Sequence, residues 1–164
     1  MERSKKLLTT LLLVAFVCTG YSGDKSSLKW MSFTEGLAQA KKTNKKVLVE
    51  VYTDWCGWCK KMDKETYANA GVAEYLSKYF VVVKLDAESS NKLMYNGEAY
   101  TEQELADAFG ITGYPSIIFL KVNGDPITTY PGYADAVKFK KVISFIAEDH
   151  YLTKKFEDYI RTVR

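Results

Sequence analysis

Cys56 and Cys59 lie within the stretch Tyr52-Thr53-Asp54-Trp55-Cys56-Gly57-Trp58-Cys59-Lys60-Lys61. Two thiols separated by two residues support three kinds of chemistry. They can close into a disulfide and exchange it with a substrate, supply half of a zinc site, or pack as small inert hydrophobes. Zinc usually takes four nitrogen or sulfur ligands, and the remaining supply is Cys18 and a lone histidine, His150, about ninety residues downstream. His150 reads as an ordinary surface or packing residue. Inert burial fits poorly with Asp54, Gly57, Lys60 and Lys61 around the pair. Redox chemistry is favoured, with burial and metal binding as alternatives.

The pair is positioned by what precedes and follows it. Val47 to Tyr52 is an almost continuous apolar run, the pattern of a strand covered on both faces, and it delivers the chain to the cysteines. From Trp58 to about Thr66 the pattern turns helical. Cys56 then sits where a helix leaves its first N–H groups unpaired, and these with the helix dipole favour a thiolate. Such settings lower a cysteine pKa from ~8.5 to roughly 3.5–7.5. Cys56 is the expected nucleophile, and the more buried Cys59 the thiol that resolves the mixed disulfide.

The rest of the chain supplies a frame of helices and strands. Ser32-Phe33-Thr34-Glu35 is a capping box opening a helix toward Lys42, with Phe33, Leu37 and Ala40 on one face. A short helix is expected near Val72–Lys78, a buried strand over Phe80–Leu85, and an irregular polar insertion over Glu88–Tyr100. Thr101-Glu102-Gln103-Glu104 is a second capping box, its helix stopping at Gly110. Ser116–Val122 reads as a strand, Asn123-Gly124 as a two-residue hairpin turn, and Ile127–Tyr130 as the returning strand. A last long helix spans about Ala134–Glu148, offering Val137, Val142, Ile143 and Ile146 for packing. Leu152, Phe156, Tyr159 and Ile160 suggest a further amphipathic segment docked on the domain. This order implies a βαβ unit followed by ββα, an α/β domain whose mixed central sheet is covered on both faces.

Length and composition agree with one such domain: 164 residues, 47% hydrophobic. The first residues differ in kind. Arg3, Lys5 and Lys6 lead into an apolar run from Leu7 to Val17, the layout of a secretory signal peptide and short for a bilayer span. Cleavage is expected after Gly20, with Gly23 as the second choice. An uncleaved anchor and a lipidated Cys18 are the lesser alternatives, the latter disfavoured by the bulky Val17. Losing residues 1–20 removes three cations and one anion, taking the formal net charge from +3 to +1, with no nucleic-acid signature. It also removes Cys18, leaving Cys56 and Cys59 as an isolated pair. A disulfide closing so short a loop adds little stability, which again points to reactivity.

Trp-Cys-Gly-x-Cys-Lys after an apolar strand, with Gly-Tyr-Pro-Ser-Ile-Ile-Phe-Leu some fifty residues later, resembles the thioredoxin superfamily over roughly Ser32 to Ala147. The segment Trp30–Lys46 looks like that of exported thioredoxin-like and disulfide-isomerase-like proteins. The resemblance implies that Pro115 is a cis-proline facing the cysteines and that the backbone at Tyr114 pairs with an incoming peptide. Gly57 and Trp58 between the cysteines, with Trp55, Tyr114 and Tyr133 around them, would contact that peptide. Glu50, six residues before Cys56, matches a buried acid that takes the proton of the second cysteine, and Lys84 matches the lysine accompanying it. A plain ion pair between Glu50 and Lys84 is the simpler alternative. Trp58 stands where thioredoxins usually have proline, and Tyr114 where an aliphatic residue is common.

The expectation is therefore a signal segment over 1–20, a thioredoxin-like domain over 28–150 and a helical extension over 151–164. It would be an extracytoplasmic thiol–disulfide oxidoreductase acting on disulfide- or thiol-containing proteins, without metal, nucleotide or flavin. A reducing role needs an electron donor such as a membrane thiol transporter, and an oxidising role needs a reoxidant. The alternative of another class is a thioredoxin-fold protein that binds clients without turnover.

Overall fold

The structure, a computed structural model, describes residues 28–163. The expected signal segment and Cys18 lie outside the described residues. Four strands form the main sheet in the order β2-β1-β5-β6. β1 (Lys46–Tyr52) and β2 (Phe80–Asp86) run parallel, while β5 (Ser116–Leu120) is antiparallel to β1 and to β6 (Pro126–Pro131). The β1–β2 register sets Glu50 directly opposite Lys84.

Alternation along β1 divides the core into two layers. Val47, Val49 and Val51 face α1 (Phe33–Thr43) and α4 (Glu102–Ala108) in one cluster. Leu48 points the other way, into a cluster with Met62, Tyr67, Leu76, Phe139 and Ile143. By the two-residue period of a strand, Glu50 shares the face of Leu48. It therefore lies beneath α2 (Gly57–Met62) and the turn that follows, close to α5 (Ala136–Ala147). Gly36 lets α1 approach the sheet closely, since a Cβ there would meet Val83 Cγ2 at 2.1 Å.

The expected helix from Trp58 to Thr66 is two pieces. Regular turns end at Met62, and Asp63–Tyr67 is a π-helical turn leading to α3 (Ala70–Tyr79), which Asn69 caps through its side chain. The 88–100 insertion is also more ordered than expected. Lys92–Tyr95 (β3) and Glu98–Thr101 (β4) form an antiparallel hairpin turned by Asn96-Gly97, both at positive φ. This is the residue pair favoured by two-residue hairpin turns. Tyr95 anchors it, its ring edge-on to Phe33 and its hydroxyl donating to Gly124 O at 3.1 Å.

At Asn123-Gly124 the expected two-residue turn is a three-residue loop. Lys121 N–H bonds to Asp125 O, only Gly124 takes positive φ, and β5 ends at Leu120 rather than Val122. The last long helix starts at Ala136, two residues later than expected, because Asp135 caps it. Val137 faces solvent rather than the core. Beyond a 3-10 turn at His150–Leu152, α6 (Phe156–Thr162) buries Tyr159, and Phe156 packs on Phe145. Leu152 and Ile160, expected to dock with them, are exposed, since Tyr159 and Phe156 occupy the facing side.

Candidate active site

The pair sits at the carboxyl end of β1, where a short turn joins strand to helix. Cys56 N–H bonds to Thr53 O at 3.1 Å, closing that turn, and Cys56 is the N-cap of α2. Its sulfur accepts a hydrogen bond from the Cys59 backbone N–H at 3.0 Å. The same hydrogen bond stabilises a thiolate at Cys56 once the pair is reduced. Cys56 and Cys59 form a disulfide, with relative exposures of 4% and 2%. Only the rim of the couple meets solvent.

Two aromatic groups flank it. Trp55, 67% exposed, donates its indole N–H to Glu88 at 2.8 Å and meets the Tyr114 ring edge-on at 5.9 Å. Trp58, 56% exposed, stacks at an angle on Tyr133, with the Lys61 ammonium 5.0 Å from its ring centre. The Tyr133 hydroxyl donates to Glu65 at 3.0 Å. Between these walls, the Tyr114–Pro115 peptide bond is cis. Pro115 O accepts from Gly132 N–H at 2.8 Å, tying the proline loop to the loop after β6. Gly57 is exposed, with nothing near the position of a Cβ.

Beneath the couple lies a charged cluster inside the core. Glu50 is fully buried, with Oε2 2.5 Å from Lys84 Nζ as a close charge contact rather than a well-angled hydrogen bond. Lys84 Nζ also donates to Asp63 Oδ1 at 2.7 Å. Burial pushes the Glu50 carboxyl up, the Lys84 charge draws it partly back, and the balance stands at about 7. Burial acts to lower Lys84, but Glu50 and Asp63 outweigh it and the ammonium is held above its usual range. Three rings enclose the ammonium, with centres at 4.8 Å (Trp30), 5.1 Å (Tyr52) and 5.9 Å (Tyr67). Trp30 reaches it because Met31 bridges to the outer edge of β2, exchanging backbone hydrogen bonds with Val82 and Lys84. A cleft of about 330 Å³ lined by Thr53, Cys59, Asp63 and Lys84 connects the second cysteine with this cluster.

All ten residues singled out from the sequence lie at or beneath the couple, on the loop with the cis peptide or, for Tyr133, against Trp58 beside it. Asp63, Tyr67, Glu88 and Trp30 were not singled out. Asp63 carried a signal: it lies one helical turn after Cys59 and so on the same face. Tyr67 had none, because its inward direction depends on the π turn.

A mixed four-stranded sheet, a Cys-x-x-Cys at the first strand-to-helix junction and a facing cis-proline define a thioredoxin-fold domain. Residues 33–147 match the family model described as a thioredoxin-like domain, and the chain belongs to that family. It is 39% identical over 98 residues to protein disulfide-isomerase of Oryctolagus cuniculus, covering 60% of this chain and 16% of that protein. It is 26% identical over 100 residues to disulfide bond reductase DsbH of Chlamydia pneumoniae, covering 60% of each. The chain thus spans less than two thirds of the length of these relatives. A solution structure of a thioredoxin from Thermus thermophilus superposes with a TM-score of 0.60 at 25% identity, covering 73% of this chain and 87% of that one.

Proposed function

We propose that the protein is a thiol–disulfide oxidoreductase acting on protein disulfides or thiols. The observation that carries this reading is the Cys56–Cys59 disulfide, capping α2 with only its rim in solvent and two exposed tryptophans beside it. In the reducing direction, the Cys56 thiolate attacks one sulfur of a substrate disulfide. The first substrate thiolate leaves and takes a proton from solvent. Glu50, held against the Lys84 that lines the same cleft as Cys59, takes the proton of Cys59. The Cys59 thiolate then attacks Cys56 Sγ, re-forming the internal disulfide and expelling the second substrate thiolate. Two electrons pass to the substrate. The oxidising direction is the same sequence reversed, and the partner's reduction potential selects between them.

The substrate's extended backbone would pair at Tyr114, beside the cis-proline, with Trp55, Gly57, Trp58 and Tyr133 lining the approach. The relatives' names, a disulfide isomerase and a disulfide bond reductase, support this class of reaction. An extracytoplasmic site of action is part of the same reading, supported by the basic and apolar pattern of residues 3–17. Its partner would be a membrane thiol donor or a reoxidant, according to direction. Insulin reduction in the presence of dithiothreitol tests the activity. Turnover is expected for the wild type and lost in Cys56→Ser, while pre-reduced Cys59→Ser mixed with insulin free of dithiothreitol accumulates a mixed disulfide with substrate. Equal, negligible activity in wild type and Cys56→Ser would overturn the reading in favour of client binding without turnover.

A further inference from the structure

The Tyr67 hydroxyl is an unusual group to find where it is. The side chain is buried between the edge of Trp30, at 4.9 Å, and Phe139, at 5.5 Å, and the hydroxyl has no protein hydrogen-bond partner among the described residues. Glu50 Oε1 is likewise buried and unpaired. Both belong to the surroundings of one ammonium: Lys84 Nζ touches Glu50 Oε2 and lies 5.9 Å from the Tyr67 ring centre. An unpaired hydroxyl in a dry interior destabilises the fold, and phenylalanine would fill the same space without that penalty. A donor and an acceptor left open on the same compartment are complementary.

We propose that Tyr67 is a positioning residue for Glu50, its hydroxyl donating through one bridging water to the ionised carboxylate. This rests on the reading of Glu50 as proton acceptor and extends it. The Asp63–Tyr67 π turn is the device that builds the arrangement. It delivers Asp63 to the solvent side of Lys84 and Tyr67 to the core side, from the two ends of one turn. The titratable and charged groups around Glu50 are then Lys84 from β2, Asp63 and Tyr67 from the π turn, Tyr52 from β1 and the cysteines from α2. The segments of β5 and α5 packed here present Ile117, Phe139 and Ile143, none of which titrates. A donor to the ionised form favours that form. Tyr67 therefore makes Glu50 a better base for Cys59 at neutral pH than burial alone would leave it.

The test is Tyr67→Phe in the full chain. The Glu50 carboxyl is followed by carbon-13 NMR in the oxidised protein, and the pH–rate profile by insulin reduction. The expected result is a Glu50 midpoint raised by about one pH unit, a tenfold change in proton affinity, with the pH–rate profile moving the same way. Relative to wild type, thermal stability should be lower above pH 7 than near pH 4, because a higher Glu50 midpoint enlarges the proton-linked loss. Superimposable Glu50 titrations in the two proteins would overturn the proposal. Should the variant fail to fold, the Tyr67 ring-carbon resonance of the wild type decides: it must titrate with Glu50, and a flat trace refutes. Failure of the underlying reading looks different. If Glu50→Gln leaves the pH–rate profile unmoved, Glu50 is not the proton acceptor, whatever the NMR shows of its bond to Tyr67.

Discussion

Glu50→Gln in the oxidised protein has a calculable effect on stability. Burial, only partly offset by Lys84, takes the folded-state carboxyl from 4.5 to about 7. Between those values the folded chain binds this proton more tightly than the unfolded chain. The stability the group contributes is therefore complete below about 4.5 and is lost as the pH rises through about 7. The difference of roughly 2.5 units, at about 1.4 kcal/mol each, amounts to about 3 kcal/mol lost by pH 8.5. Glutamine resembles the protonated acid and cannot ionise, so it escapes the loss. Urea unfolding with the disulfide intact should find the two proteins similar at pH 4, with the glutamine variant about 3 kcal/mol more stable at pH 8.5. A stability difference that does not change with pH would refute the reasoning. The same variant should reduce insulin more slowly, because an acid that lowers stability at working pH is kept for what it does there.

Replacing Lys84 with methionine should act in the opposite sense. Without the ammonium, the Glu50 midpoint rises above 7, and urea unfolding should show a further loss of at most about 2 kcal/mol at pH 8.5 from this linkage, less at pH 5. Gly36→Ala forces a methyl group to within 2.1 Å of buried Val83, where the β-branched side chain has little freedom. About 1–3 kcal/mol of destabilisation is expected by urea unfolding, with the reduction potential of the couple unchanged. Glu88→Ala removes the acceptor that holds the Trp55 indole. The expected outcome is altered tryptophan emission and a raised KM for insulin, with stability changed by less than about 1 kcal/mol because the site is exposed.

The sheet, the long helices and the redox pair were legible because each is encoded locally. Apolar runs at 47–52 and 80–85, each broken by one charge, announce strands covered on both faces, and the capping boxes at Ser32 and Thr101 both form as their spacing implies. The hairpin in the insertion was missed although Asn96-Gly97 carries the turn signal that was read at Asn123-Gly124. Its strands are four residues each and only Leu93 among them is buried, so the alternation that should flank such a turn is weak. At Asn123-Gly124 the same dipeptide serves a three-residue loop, because the strand register around Phe119 and Leu120 shifts.

The charged cluster shows where local reading ends. Glu50 and Lys84 were suspect because a charge inside an apolar strand needs a partner, and the parallel register then puts them face to face. Asp63 and Tyr67 depend on something no residue pattern announced. A continuous α-helix would advance 100° per residue past Met62 and carry the side chain at 67 round with it. The wider π turn uses an extra residue, so that both ends of the segment bear on Lys84. Lys84 thus pairs with one acid in the core and one at the surface, and its single charge cannot fully neutralise both. Burial raises Glu50, the carboxyl inside the core, to about 7. Under the proposed mechanism, that leaves Glu50 half-loaded near neutral pH, able both to take the Cys59 proton and to return it.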